Sequence, residues 1–319
     1  MVKDQSCGLV YDSFFERHIP HSGHPDQSNR ATHIFEGLKE LDLLERSKLI
    51  NPIDAEEDII TLVHEKKYLH QIKKDIKSGR PSLSTGDTNI SKHSYSVAIR
   101  ACGGVLLAID QIFENKIKRA FSISRPPGHH ATPDRGMGFC IFNHVAIAAK
   151  YAQKKYGVGK VLIVDWDVHH GNGTQDIFYE DDSVFFLSTH QSPWYPGTGN
   201  RNETGAGKGL GLTLNKPLPA GSGRSEIVEG VFGSDLPKKM NTFRPELVLI
   251  SAGFDSRLGD PLGQFTLHDQ DFNDLTSGIL ALASEFAEGR ILSVLEGGYD
   301  LNGLRLAAHA HFLAMLDAK

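Results

Sequence analysis

The sequence contains little cysteine: three thiols, Cys7, Cys102 and Cys140, are scattered over 319 residues. So few and such distant cysteines exclude a disulfide framework and a cysteine-based structural zinc cluster. An excess of basic residues is also missing, because the net charge is −5 at pH 7, and phosphate contacts need a basic face. No stretch approaches the roughly 18–20 apolar residues that cross a bilayer, and the N-terminal residues have no signal-type apolar core. We therefore expect a cytoplasmic protein with no nucleic-acid and no membrane partner, of unknown oligomeric state.

What the sequence does contain is a repeated short apolar run followed by a polar, glycine-rich turn. The clearest runs are Ala120–Ser124, Val161–Val164, Val184–Leu187, Leu247–Ser251 and Ile291–Leu295. Their nearly continuous hydrophobicity is typical of strands buried on both faces of a parallel sheet. Amphipathic helical stretches lie between them: Ser94–Phe113, Asn143–Tyr156, Asp269–Phe286 and Leu301–Leu316. The alternation predicts an α/β fold in which helices flank a central, mainly parallel sheet, and the absence of a linker or repeat predicts a single domain over residues 1–319.

Chemically capable side chains follow each of the five predicted strands. The segments concerned are Arg125–His130, Asp165–Thr174, Ser188–His190, Ala252–Asp255 and Glu296–Tyr299. Ligands of such folds bind just beyond the carboxyl ends of the strands. The sequence therefore predicts that these five segments meet at one edge of the sheet and form a site there.

The segment after the second run indicates a metal site. Asp165, Asp167 and His169 alternate along the chain, so in an extended conformation they share one face, and Asp255 ends another strand. Carboxylates and an imidazole crowded together stay unsatisfied unless a cation lies between them. The alternative is an acidic loop with a solvated histidine. One histidine and two carboxylates suit a catalytic zinc site, and Fe²⁺ accepts the same ligands.

Two further features indicate acid–base chemistry. His129 and His130 follow a rigid Arg-Pro-Pro-Gly turn, and a neutral imidazole beside a metal can take a proton from water and return it to a leaving amine. Tyr299 follows two glycines, and its phenol can donate to a developing oxyanion. The alternatives are a surface histidine pair and a packing tyrosine. Because the metal site explains the chemistry without a thiol nucleophile, we interpret Cys140 as part of the wall.

Six motifs together resemble the histone deacetylase superfamily, and they are most similar to its class II branch and the bacterial relatives of that branch. The motifs are Arg125-Pro-Pro-Gly-His-His130, Gly138-Phe-Cys140, Asp165-Trp-Asp-Val-His-His-Gly-Asn-Gly-Thr174, Tyr195-Pro-Gly-Thr-Gly199, Ala252-Gly-Phe-Asp255 and Glu296-Gly-Gly-Tyr299. The resemblance runs from about His24 to the C-terminus. It implies the arginase–deacetylase fold and a metal-dependent amidohydrolase that holds zinc and a structural potassium ion.

The resemblance also implies roles for individual positions. The implied zinc ligands are Asp167, His169 and Asp255. The implied catalytic residues are His130 as general base and acid, His129 as its electrostatic companion and Tyr299 as donor to the acetyl carbonyl. Asp165 and Asn172 are implied as supporting residues, and the potassium site as Asp165, Asp167, His169 and Ser188. The implied channel residues are Gly138, Phe139, Tyr195 and Leu262, with Arg30 beside an inner cavity associated with acetate.

Two positions refine what the resemblance implies. A tyrosine at 299 is the residue of competent deacetylases in the family, whereas class II branches with a histidine there are poor enzymes. Asn172 occupies a position where class I members have an aspartate. Because an amide stabilises an imidazolium less than a carboxylate does, we expect His130 to be somewhat less basic in this chain.

The reaction implied is hydrolysis of an acetyl amide by metal-activated water, with N-acetyl-lysine in proteins or peptides as the expected substrate. In the resembling family, a glutamate in the loop after the last zinc ligand goes with acetylated polyamines as substrates. This chain has the apolar Leu262 at that position, which favours acetyl-lysine. Acetylated polyamines or other small acetylated amines are the alternative substrates. Two other classes stay open: an arginase-type ureohydrolase, whose second Asp-x-Asp pair is absent after Phe254, and a silent acyl-lysine binding module.

Overall fold

The computed structural model describes residues 6–318, so Met1–Gln5 and Lys319 lie outside the described residues. Within this range eight strands form one sheet in which every neighbouring pair is parallel. The strands are β1 (Cys7–Val10), β2 (Lys48–Ile50), β3 (Arg119–Ser122), β4 (Val161–Asp165), β5 (Val184–Gln191), β6 (Thr213–Leu218), β7 (Leu247–Ala252) and β8 (Ile291–Leu295). Their order across the sheet is β2-β1-β3-β8-β7-β4-β5-β6.

Helices cover both faces of this sheet. They are α1 (Arg30–Glu40), α2 (Glu57–Ile60), α3 (Lys66–Lys77), α4 (Ser94–Phe113), α5 (His144–Tyr156), α6 (Asn172–Phe178), α7 (Leu236–Phe243), α8 (Asp269–Phe286) and α9 (Leu301–Asp317). A π-helical segment, Ser225–Asp235, leads directly into α7. Apolar side chains of α1, α7, α8 and α9 pack on one face, and those of α3, α4 and α5 pack on the other. The predicted arrangement of a parallel sheet flanked by helices is confirmed.

The five strands that were predicted to deliver functional residues are neighbours in the sheet. They form the continuous block β3-β8-β7-β4-β5. All five residues of β4 are buried, which explains its unbroken apolar run. At the end of β4, Asp165 lies opposite Ser188 of β5 and Ser251 of β7. The carboxyl ends of these strands therefore open onto one shared edge.

One expectation about the shape of the metal-binding segment needs correction. The alternation argument treated Asp165, Asp167 and His169 as one extended strand, but β4 ends at Asp165. The chain then turns, because the backbone N–H of Asp167 donates to Oδ1 of Asp165 at 3.1 Å and the N–H of His169 donates to Oδ1 of Asp167 at 2.9 Å. Side-chain acceptance from the residue two positions ahead is a known feature of aspartate turns.

The expectation that no stretch approaches the length and apolar character of a bilayer span is wrong for the helix α4. Among the described residues it is long and apolar enough by length and composition, and 67% of its apolar window is buried inside the fold. Its side chains Val97, Cys102, Val105 and Ile109 are buried in the core beside the sheet. This burial accounts for the apolar composition of α4.

Candidate active site

The three predicted metal ligands meet at the carboxyl edge of the sheet. Asp167 and His169 follow β4, Asp255 follows β7, and one ligand atom from each lies within 4.8 Å of the other two. Nδ1 of His169 is 3.0 Å from Oδ1 of Asp167 and 3.2 Å from Oδ2 of Asp255. Both aspartates are fully buried and His169 is 8% exposed. The three side chains therefore surround one point, as ligands of a single ion do.

Backbone amides hold the two carboxylates at this point. The N–H of Val168 donates to Oδ1 of Asp255 at 2.8 Å, and the N–H of Gly297 donates to Oδ2 of Asp167 at 2.8 Å. A Cβ at position 297 would lie 2.0 Å from Oδ2 of Asp255, so only glycine allows this close approach. An oxygen and nitrogen donor set of this kind, with no thiolate, fits a catalytic zinc ion.

The electrostatics of the ligands also favour a cation. Burial raises the pKa of Asp255 to about 7, and the charge of Asp167 acts in the same direction. Burial opposes ionisation of Asp167 too, but the charge of His129 and hydrogen bonds from His169 outweigh it and lower that pKa below its ordinary value. Burial disfavours a charged His169, yet hydrogen bonds to Asp167 and Asp255 raise its pKa to about 10. Positive charge is therefore stabilised between the two aspartates, where a divalent ion would sit.

The first histidine of the tandem pair is held by a carboxylate. Nδ1 of His129 lies 2.9 Å from Oδ2 of Asp165, and its Nε2 is 3.8 Å from Oδ2 of Asp167. Burial opposes a charged ring, but Asp167 and Asp165 outweigh it and raise the pKa of His129 well above its ordinary value. His129 therefore provides positive charge beside the metal ligands. Asp165, which the resemblance implied as a supporting residue, thus contacts the ring of His129.

The second histidine has the opposite electrostatic character. Nδ1 of His130 lies 2.8 Å from Oδ1 of Asn172, and because an amide oxygen only accepts, the imidazole donates through Nδ1 and keeps Nε2 as an acceptor. Burial lowers the pKa of His130 well below its ordinary value, and the charge of His129 adds to this effect. Burial is thus the main cause of the reduced basicity, and the bond to Asn172 acts against it. The expectation that an amide at position 172 makes His130 less basic than a carboxylate would stays a prediction. A neutral His130 is suited to act as a base.

Tyr299 lies between β8 and α9, and its side chain is 7% exposed. Its ring packs against Phe139 with centroids 5.7 Å apart, and the guanidinium carbon of Arg30 lies 4.8 Å from its centroid. Burial raises the pKa of the Tyr299 phenol well above its ordinary value. The phenol therefore keeps its proton and can act as a hydrogen-bond donor.

Arg30 is fully buried behind the turn that carries Tyr299. Its Nε donates to the carbonyl of Gly298 at 2.7 Å, its Nη2 to the carbonyl of Glu296 at 2.7 Å, and its Nη1 to Oδ1 of Asp26 at 2.8 Å. These bonds make Arg30 a support of the turn. Its association with an acetate-holding cavity stays a prediction.

A cavity of about 350 Å³ leads from the surface to these groups. Its lining consists of Asp87, His130, Gly138, Phe139, His169, Trp194, Tyr195, Leu262 and Tyr299. All four predicted channel residues are in this set. Gly138 has φ +55°, and a Cβ there would lie 2.2 Å from Cδ2 of His130, so a side chain would displace the imidazole.

The sequence reading missed Asp87, which lies at the mouth of this cavity. Oδ1 of Asp87 accepts the N–H of Gly138 at 2.8 Å, and Oδ2 accepts the hydroxyl of Tyr195 at 3.1 Å. Asp87 is exposed, and among residues 6–318 no lysine, arginine or histidine forms an ion pair with it. Asp87 lies in a loop that does not directly follow a predicted strand. The rule that ligands bind beyond the carboxyl ends of strands therefore could not identify it.

Glu296 was quoted within a motif but given no role. Its Oε2 accepts the N–H of Gly128 at 2.6 Å and the N–H of His129 at 3.0 Å, while Oε1 is buried without a partner among the described atoms. Burial raises the pKa of Glu296 to about 7, against the charge of His129. This carboxyl group thus holds the backbone of the tandem histidines from the end of β8.

The predicted potassium residues are adjacent, since Ser188 pairs in register with Asp165. The hydroxyl of Ser188 lies 3.0 Å from Nδ1 of His190, and the hydroxyl of Thr189 donates to the carbonyl of Asp165 at 3.5 Å. A potassium ion at this position stays a prediction.

Comparison with known proteins agrees with this geometry. The histone deacetylase domain profile matches residues 24–315. A probable deacetylase of Archaeoglobus fulgidus is 37% identical over 93% of this chain and 82% of its own length. The histone deacetylase-like amidohydrolase of Pseudomonas aeruginosa is 36% identical over 87% of this chain and 73% of its own.

A solved structure agrees over nearly the whole chain. The crystal structure of the HDA15 HD domain superposes with a TM-score of 0.92 and 32% identity, covering 99% of this chain and 90% of that one. The fold is therefore the arginase–deacetylase fold expected from the motifs. The chain belongs to the histone deacetylase family and is a hydrolase of acetylated substrates.

Proposed function

We propose that this protein hydrolyses the acetyl amide of N-acetyl-lysine in proteins or peptides, with zinc held by Asp167, His169 and Asp255. The observation that carries the proposal is that His169, one member of this ligand set, lines the same cavity as His130 and Tyr299. A cavity of about 350 Å³ suits an extended side chain with an acyl cap. Fe²⁺ accepts the same ligands, so turnover of zinc-loaded and Fe²⁺-loaded protein is compared to identify the metal.

Each residue has a distinct part in the proposed reaction. Asp167, His169 and Asp255 would hold the zinc ion, which would supply Lewis-acid activation of the acetyl carbonyl and of water. His130, neutral and with Nε2 free to accept, takes the proton of the attacking water. Tyr299 donates a hydrogen bond to the acetyl oxygen as negative charge develops there. His130 then gives its proton to the departing amine, and the charge of His129 keeps His130 from holding that proton tightly.

We further propose that a structural potassium ion lies beside the zinc site, held by Asp165, Asp167, His169 and Ser188. The register that pairs Asp165 with Ser188 supports this proposal. Its test is the effect of replacing potassium with a larger monovalent cation on the temperature of unfolding.

Two observations at the mouth bear on substrate choice. Leu262 lines the cavity and offers no charge to a second ammonium group, which favours acetyl-lysine. Asp87, exposed and unpaired among the described residues, favours a cation near the mouth. That cation is either a basic residue that flanks the acetyl-lysine or the free amine of an acetylated polyamine, so the second substrate class remains the alternative.

The test uses the purified, zinc-loaded protein with an acetyl-lysine peptide and with N-acetylputrescine, each with and without a chelator. Faster, chelator-sensitive turnover of the peptide supports the proposal. Preference for N-acetylputrescine would replace the substrate and keep the chemistry, and turnover that survives metal removal would contradict the mechanism.

A further inference from the structure

The backbone of the gate residue Leu262 is held on both sides by side chains that have no part in the proposed chemistry. Its N–H donates to Oδ1 of Asp260 at 2.9 Å. Its carbonyl accepts the indole Nε1–H of Trp194 at 2.8 Å. Both polar groups of one loop residue are therefore fixed, although Leu262 lies at a cavity mouth, where loops are usually mobile.

The second oxygen of Asp260 holds a different loop. Oδ2 accepts the N–H of Tyr299 at 2.6 Å and the N–H of Asp300 at 3.2 Å. Asp260 is 9% exposed, so water competes little for these bonds. One carboxylate thus joins the loop that carries the gate residue Leu262 to the loop that carries the phenol of Tyr299. These two residues are 37 positions apart in the sequence (299 − 262).

Hydrogen bonds hold the chain at three successive residues, Gly298, Tyr299 and Asp300. The carbonyl of Gly298, just before it, accepts from Arg30 at 2.7 Å. Asp300, just after it, caps α9 by accepting the N–H of Gly303 at 2.9 Å. The bond from the Tyr299 N–H to Asp260 lies between these two and is the one that leads to the cavity mouth.

We propose that Asp260 is a positioning residue that sets the gate residue Leu262 and the catalytic phenol of Tyr299 together, while Trp194 positions the gate alone. Its kinetic consequence rests on the proposed deacetylase function, whereas its structural consequence does not. A displaced gate loop would shift the phenol with it for as long as the charge-assisted bonds of the shared carboxylate to both loops persist. Substrate fit at the mouth is thereby linked to the group that stabilises the transition state.

The test compares three variants with a matched control. Asp260→Ala removes both connections, and Asp260→Asn keeps one acceptor oxygen. Trp194→Phe removes only the indole donor and keeps an aromatic ring. Asp235→Asn is the control, because Asp235 pairs with Lys216 and neither residue lies in the gate loop or in the loop that carries Tyr299. Circular dichroism and thermal unfolding show that each variant is folded.

Hydrogen–deuterium exchange measures the structural part without any substrate. In Asp260→Ala we expect faster exchange in both segments, 257–264 and 296–304, and in Trp194→Phe only in the first. Asp260→Asn should retain protection in one of the two. Unchanged exchange of both segments in a folded Asp260→Ala protein would overturn the proposal, even if the wild-type protein showed no turnover.

Kinetics measure the functional part. We expect Asp260→Ala to lower kcat by about 10²-fold, as displacement of a catalytic group by about 1 Å does. In a Tyr299→Phe background the same change should lower kcat at most about threefold, because two changes that act through one group are not additive. Equal losses in both backgrounds would mean that Asp260 only stabilises the fold, and this result is distinct from an inactive wild-type protein.

Discussion

The ring nitrogen Nδ1 of His130 lies 2.8 Å from the amide oxygen of Asn172, and the pair is buried. This bond fixes one tautomer without adding a negative charge beside the ring. Burial and the charge of His129 make His130 a weak base, and its neutral partner does not offset them. The neighbouring His129 is paired with the carboxylate of Asp165 at 2.9 Å. The two adjacent imidazoles differ in charge because their partners differ.

Asn172→Asp should move the acid side of the pH profile of kcat/KM to higher pH. The folded pKa of His130 lies well below its ordinary value because of burial, and a carboxylate within hydrogen-bond reach raises a histidine pKa by about 1–3 units. Since only neutral His130 accepts a proton, the variant loses activity first at low pH. Asn241→Asp, an exposed change on α7, is the control. A superimposable profile would show that His130 is not the titrating base.

Tyr299→Phe should lower kcat by roughly 10²–10³-fold, as removal of one oxyanion donor does. KM should change little, because the phenol donates mainly to charge that develops during the reaction. Steady-state kinetics with the preferred substrate measure both constants. Tyr156→Phe is the matched control, since the Tyr156 hydroxyl binds Asp110 far from the cavity. Full activity of the Tyr299 variant would exclude the assigned role.

Asp255→Asn should reduce bound zinc, because it replaces a buried anionic ligand by a neutral amide. Zinc per chain after dialysis, measured by mass spectrometry of the metal, gives the result directly. Asp235→Asn removes a surface carboxylate that pairs with Lys216 and should leave the zinc content unchanged. Equal zinc in both variants would place the ion elsewhere.

Three buried histidines should make the protein less stable in acid. Burial lowers the pKa of His64 and His311 from 6.5 to about 3, and that of His144 to about 4. Between those values and 6.5 the unfolded chain binds the proton and the folded one does not. The free energy of unfolding is therefore fully retained above pH 6.5 and falls below it, by up to about 1.4 kcal/mol per pH unit for each group.

Urea unfolding at several pH values below 6 tests this assignment through one of the three histidines. His311→Gln should reduce the pH slope by about one such contribution, whatever its effect on absolute stability, because its ring is fully buried between Thr276 and Ser293. His70→Gln, at an exposed position, serves as control. An unchanged slope in the His311 variant would show that the folded protein already protonates this ring.

Leu262→Glu should shift preference toward N-acetylputrescine. A carboxylate at the mouth attracts a second ammonium, and the expected change in the kcat/KM ratio is about tenfold, equivalent to one ion pair of about 1.4 kcal/mol. Leu258→Glu, an exposed position on the same loop, controls for charge alone. If both variants change the kcat/KM ratio equally, the added negative charge and not its position at residue 262 determines the preference.

The five strands that the sequence predicted are all fully buried. The five apolar runs became β3, β4, β5, β7 and β8, and the predicted bounds of α4 and α8 agree with the structure. The edge strands β2 and β6 escaped notice because they are only partly buried and read as mixed polar sequence. Strand β1 is buried but was not predicted, because a glycine interrupts its short apolar run Cys-Gly-Leu-Val.

Site residues that directly follow a strand could be predicted from the sequence, whereas those in loops away from the strand ends could not. Asp167, His169 and Asp255 could be expected because parallel strands bring their carboxyl ends to one edge. Asp87 and Asp260 accept backbone N–H groups of distant residues, and no local pattern shows which distant amide a carboxylate will meet. Tertiary contacts of this kind appear only in three dimensions.

The two tryptophans of the chain differ in surroundings in a way that creates a built-in optical probe. Trp166 is fully buried in the core, whereas Trp194 is 39% exposed at the cavity mouth, with its indole N–H bound to the carbonyl of Leu262. Because indole emission responds to polarity and to the loss of a hydrogen bond, we expect Trp166 to give a constant blue background and Trp194 a variable red component. A ligand that contacts Trp194 should therefore be detectable in the unlabelled protein through its fluorescence.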